Sequence, residues 1–223
     1  MASEIKALEQ IEYPERDGRP MGETDLHRDW MIRLIRLLQF RYRDQRAYVS
    51  GDLLLYYVEG NPKVCVVPDV FLVKDHPPGR RRVYKLWEEG QSPHVVIEVT
   101  SLKTRKADVL KLRKFREIGV AEVFLYDPTG DYLKPPLHGY RLIDGEYVTI
   151  EPNSEGRIRS VELHAELGLE DDGSLAIHDA DSGERWMTAE EAADAEREAA
   201  EARSLDLEAE VQRLRRRLEE LDN

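Results

Sequence analysis

Glu98 stands inside the run Val95-Val96-Ile97-Glu98-Val99, whose other members read as the core of a strand. An ionised carboxylate removed from water there needs a proton, a metal ion or a cationic partner. Earlier in the chain Pro68-Asp69 leads into Val70-Phe71-Leu72-Val73, which sets a second carboxylate at the start of another strand. Beyond Glu98, Lys111 and Lys114 share one helical face with Ala107, Leu110, Phe115 and Ile118, at spacings of three and four. Lysines on an inward stripe either snorkel outward along their stems or reach buried carboxylates. An aspartate and a glutamate brought together on adjacent strands bind a hard cation such as Mg²⁺, with Mn²⁺ as a second candidate. A lysine beside them orients or deprotonates a water and offsets charge developing on a phosphate. A salt bridge from Glu98 to an inward lysine, with no catalysis, accounts for much of the same pattern.

Four strand-like runs and two helices must position these groups. Residues 1–22 carry Pro14, Gly18, Pro20 and Gly22 among charges and read as an extended arm. A helix follows, capped by Thr24 or Asp25, with Met31, Leu34, Ile35 and Leu38 as its buried stripe. His27 lies one turn before Met31 on that stripe and reads as a structural histidine rather than a ligand. The runs AYVSGDLLLYYVEG, KVCVVPDVFLV and PHVVIEVTS are rich in Val, Leu and Tyr and read as strands. A helix over 105–118 ends at Gly119, with Ser101 or Thr104 as its cap, and VAEVFLYDP is the fourth strand. Strand, helix, strand with apolar runs on both sides implies a crossover unit and a parallel portion of a sheet. GYRLIDGEYVTI then reads as a hairpin turning at Asp144-Gly145, and EDDGSLAIHD carries a second Asp-Gly turn.

From about Thr188 the composition is Ala, Glu and Arg, and Leu207, Val211, Leu214, Leu218 and Leu221 alternate at spacings of four and three. That is a heptad seam, which predicts self-association through a coiled-coil-like tail, with a single amphipathic helix docking on its own domain as the alternative. The expected organisation is an arm over 1–22, a domain with C-terminal hairpins over 23–183 and a helical tail over 184–223.

The net charge of −12 hides its distribution. Residues 80–116 hold 11 Lys/Arg against four Asp/Glu, whereas residues 184–223 hold 13 Asp/Glu against seven Lys/Arg. A basic middle segment suits a polyanion such as DNA. Cys65 is the only cysteine, so no intramolecular disulfide forms, which fits a reducing cytoplasm. No charged-then-apolar leader and no run near the ~18 apolar residues of a membrane span is present, so a soluble cytoplasmic protein is expected. Gly-rich phosphate loops and Cys-His pairs with metal spacing are absent too.

The stretches MGETDLHRDW, VSGDLLLYY, VPDVFLV, LWEEGQSPHVVIEVTSLKTRKAD and REIGVAEVFLYDPTGDYLKPPLHGYRL together resemble the Uma-two family of restriction-endonuclease-like proteins. That family lies within the PD-(D/E)XK nuclease superfamily. The resemblance implies an α/β (α+β) fold with a restriction-endonuclease-like core, a mixed sheet of four to five strands flanked by helices. It implies that Asp69 and Glu98 are Mg²⁺ ligands and catalytic residues of a DNA endonuclease. The superfamily's usual lysine position, two residues after the glutamate, is Thr100 here. In the family a helix lysine four residues before an aromatic takes its place; counting back from Phe115 gives Lys111, with Lys114 and Lys103 as substitutes. Glu23 is a further acidic candidate from the first helix. Two other readings stay open: a non-catalytic nucleic-acid-binding or assembly protein on the nuclease fold, and a metal-dependent hydrolase with another substrate.

Overall fold

The computed structural model describes residues 12–14, 24–101 and 105–221, in two compact units, residues 1–186 and 187–223. In the first unit α1 (Asp25–Arg41) precedes β1 (Ala47–Ser50), β2 (Leu55–Tyr56), β3 (Cys65–Val66), β4 (Val70–Lys74) and β5 (Tyr84–Lys85). Then come α2 (Leu86–Glu89), β6 (Val95–Val99), α3 (Arg105–Glu117) and β7 (Glu122–Tyr126). The antiparallel strands β8 (Leu137–Ile143), β9 (Glu146–Thr149), β10 (Ile158–Ser160), β11 (Ala165–Leu169) and β12 (Leu175–Asp179) complete this unit. Thr24 is the cap of α1, its hydroxyl accepting the His27 N–H at 3.2 Å.

The main sheet has six strands in the order β1-β4-β6-β7-β8-β9, one more than the largest number the resemblance implied, because the β8–β9 hairpin at Asp144-Gly145 extends it. Within this sheet β6 and β7 are the one parallel pair, joined by α3, so the crossover expected from the sequence is present. Two runs that read as single strands each divide between sheets. Asp52, in a left-handed conformation, follows β1, and Pro68-Asp69 separates β3 from β4. As a result β2, β3 and β5 form a small sheet of their own. The remaining sheet is β10-β11-β12.

Strand alternation assigns the two faces of the main sheet. Val70, Leu72, Val95, Ile97 and Val99 pack with Leu34, Leu37 and Leu38 of α1 and with the β10–β12 sheet. Phe71, Val73, Val96, Val123 and Leu125 pack with Phe115 and Ile118 of α3 and with the small sheet. Leu110, expected on the inward stripe of α3, is 55% exposed. Met31 and Ile35 are only partly buried, and Leu37 takes a place in the core beside Leu34 and Leu38. Cys65, expected in the core, is only partly buried.

The second unit is a single helix, α4 (Ala189–Leu221). No helix among the described residues is long and apolar enough to cross a membrane.

Candidate active site

Residues 69, 71 and 73 share one face of β4 and its lead-in, as do residues 96 and 98 of β6, by the period-two alternation of strands. Both carboxylates therefore face the side covered by α3. The antiparallel register pairs Val70 with Ile97, so the next step sets Asp69 beside Glu98. Backbone N–H groups lock them there: Asp69 N–H donates to Glu98 Oε1 at 3.2 Å, and Val99 N–H donates to Asp69 Oδ2 at 2.9 Å.

Lys111, in the middle of α3, brings its ammonium between the two carboxylates, 3.1 Å from Asp69 Oδ1 and 2.5 Å from Glu98 Oε2. Glu98 is 1% exposed and Asp69 7%. Burial is the main force raising the Glu98 carboxyl above its ordinary value of 4.5, to about 8; the negative charge of Asp69 adds to it and Lys111 only partly opposes it. Burial alone would lower Lys111, but the two carboxylates overcome that and hold its ammonium well above the usual lysine range. The cluster thus has a strong appetite for positive charge.

Lys114 does not join it. One turn on, its amine donates to the Cys65 carbonyl of β3 at 2.8 Å. At position 100 the hydroxyl of Thr100 is buried and donates to the Tyr126 carbonyl at 3.4 Å, so the ammonium comes from α3 and not from β6. Glu23, Lys103 and Thr104 lie outside the described residues.

Two residues were underread in the sequence. His27, from the first turn of α1, is buried with Nε2 3.5 Å from Asp69 Oδ2, so the helix stripe delivers an imidazole to the cluster. Its one signal was its place ahead of the apolar stripe. Gly51 follows β1 where the chain crosses Pro68-Asp69, and the Asp52 N–H donates to the Pro68 carbonyl at 2.9 Å. A Cβ on Gly51 would sit 2.0 Å from the Asp69 carbonyl oxygen and 2.8 Å from Ile35 Cδ1. Gly51→Ala is therefore expected to displace the Asp69 backbone. It should lower unfolding free energy by about 1–3 kcal/mol. Denaturant unfolding checks this, and unchanged stability would show that the chain accommodates a side chain at position 51.

Two carboxylates are a hard-oxygen donor set that suits Mg²⁺ or Mn²⁺. Among the described residues no group of three or more His, Cys, Asp and Glu stands ready to hold a metal. Asp69 and Glu98 would thus supply part of a coordination shell, with water and substrate oxygens as the rest, which is the habit of Mg²⁺.

Part of the basic surplus of residues 80–116 is paired within the chain. Arg81 donates to Glu89 Oε1 at 2.7 Å, and His76 meets the other oxygen of Glu89 at 2.7 Å. Lys85 pairs with Glu88 at 3.0 Å, Arg116 pairs with Glu146, and Lys111 is inside the cluster.

A family model described as "Uma2: Putative restriction endonuclease" matches residues 2–177. Among solved structures the chain is similar to one titled as a putative nuclease belonging to DUF820 from Anabaena variabilis ATCC 29413. The TM-score is 0.46 and the identity 16%, over 65% of this chain and 76% of that one. No curated protein matches the chain.

Proposed function

The chain belongs to the Uma2 family, and on that premise we propose that it is a Mg²⁺-dependent DNA endonuclease, with Asp69, Glu98 and Lys111 as its catalytic residues. The observation that carries this reading is the meeting of two buried carboxylates and one ammonium, from just before β4, from β6 and from α3. Asp69 and Glu98 would hold the metal, which when bound supplies a Lewis acid and lowers the pKa of a coordinated water. Lys111 offers positive charge where negative charge grows on a phosphate oxygen. The N–H groups of Asp69 and Val99 fix the carboxylates so that little reorganisation accompanies the reaction. The single cysteine is consistent with a cytoplasmic setting.

A non-catalytic salt-bridged cluster is the second reading, favoured by the ammonium that already lies between the carboxylates. Metal and pH separate the two. Purified protein should nick or cut plasmid DNA with Mg²⁺ or Mn²⁺ and lose that activity in EDTA. Because Glu98 is protonated below its raised value and only the carboxylate binds metal, Mg²⁺ affinity should strengthen as pH rises toward about 8 and level off above it. Calorimetric titration reads the affinity and the protons released. No cleavage with any divalent ion, and no pH-dependent binding, would leave the salt-bridge reading standing.

A further inference from the structure

Five large apolar side chains of α4 are exposed: Leu205 by 67%, Leu207 and Leu218 by 61%, Leu214 by 52% and Val211 by 47%. Leu207, Val211, Leu214 and Leu218 lie on one seam, and Leu221 continues the spacing in the sequence. Placing Val211 and Leu218 at heptad position a puts Leu207 and Leu214 at d and Ser204 at the preceding a. The flanking positions are then Arg203 and Glu210 at g, with Glu208 and Arg215 at e. Among the described residues none of these four charges makes an ion pair or side-chain hydrogen bond within the chain.

We propose that α4 pairs with α4 of a second copy of this chain as a parallel, in-register, two-stranded coiled coil. In that arrangement each g residue faces the e residue five places on in the other copy. Arg203 then meets Glu208 of the second copy and Glu210 meets Arg215, each twice by symmetry, so the helix is complementary to itself. An antiparallel pair centred between Val211 and Leu214 would join Glu208 to Arg215 and Glu210 to Arg217, so charge alone does not set the direction. Packing does. The antiparallel pair opposes Ser204 with an apolar layer, whereas the parallel pair stacks like on like; Val211 at a between leucines at d then favours two strands over three or four.

Light scattering on the full chain over a concentration series tests the proposal. Wild type should reach twice the chain mass. Glu210→Arg and Arg215→Glu, each introducing two repulsive contacts, should weaken the dimer about tenfold. The swapped pair E210R/R215E should regain wild-type association. Circular dichroism on every variant, with Leu214→Asp as a second disrupting change, separates lost pairing from lost helix. A wild type that stays monomeric at all concentrations overturns the proposal. So does a mass of three chains, or a swapped pair weaker than either single change, which is the antiparallel signature.

Discussion

Glu98→Gln and Asp69→Asn are each expected to lower Mg²⁺-dependent cleavage by a factor on the order of 10²–10³ while the protein stays folded. Both changes keep the shape of the side chain and one carbonyl oxygen. That oxygen still accepts the Asp69 N–H in the first case and the Val99 N–H in the second, so no backbone donor is orphaned. What each change removes is a charge and an oxygen that would bind the proposed metal. Alanine would confuse the result at position 69, because it strands the buried Val99 N–H. Glu98→Gln has a second signature. In wild type the raised Glu98 carboxyl makes its ionisation unfavourable to the fold as pH rises from 4.5 toward about 8. Without metal, the glutamine variant should therefore lose less stability than wild type across that window. Wild-type cleavage rates in both variants would remove Asp69 and Glu98 from the chemistry.

Lys111→Met is expected to have the largest effect on stability, about 3–5 kcal/mol at pH 8 without metal. The methionine fills the stem volume but leaves two buried carboxylates facing each other with no cation between them. The sign with pH follows from Glu98. Loss of the ammonium pushes its carboxyl higher still, so the folded variant retains a proton that the unfolded chain has released. Wild type keeps the same proton up to about pH 8, so the deficit should change little below that value and grow above it, where only the wild-type carboxyl ionises. Mg²⁺ should recover part of it by supplying the missing charge, and it should do so more strongly than in wild type, where the ammonium competes for the same oxygens. Thermal unfolding at two pH values, with and without Mg²⁺, gives all four numbers. A destabilisation that Mg²⁺ leaves untouched would mark the cluster as a structural salt bridge.

Glu98 and Glu122 show how far a sequence pattern reaches. Each is a carboxylate in an apolar strand, and each is 1% exposed. Glu98 meets another carboxylate and a lysine. Glu122 is instead enclosed by partners: Arg141 Nε at 2.8 Å, the Ser160 hydroxyl, and the N–H groups of Val161 and Glu162 at 3.0 and 3.2 Å. It ties the turn after β10 to the main sheet and leaves no room for chemistry. The same local text thus encodes an anchor and a candidate site. Asp127 makes the point again, since five donors from Thr129, Gly130, Tyr132 and Leu133 surround a buried carboxylate that shapes a loop.

The sequence by itself determined the crossover of β6, α3 and β7, the hairpin at Asp144-Gly145 and the long terminal helix. Each of these follows from periodicity and turn chemistry, which act between near neighbours. Tertiary structure alone decided which lysine meets the carboxylates. Helical spacing placed Lys111 and Lys114 on one side of α3, but the helix lies so that Lys111 reaches the carboxylates while Lys114 reaches Cys65. It also decided that His27 flanks Asp69 and that only a glycine fits at position 51. These contacts join segments far apart in the chain, and their partners are set by how whole elements stack, a choice that local patterns of charge and hydropathy do not contain.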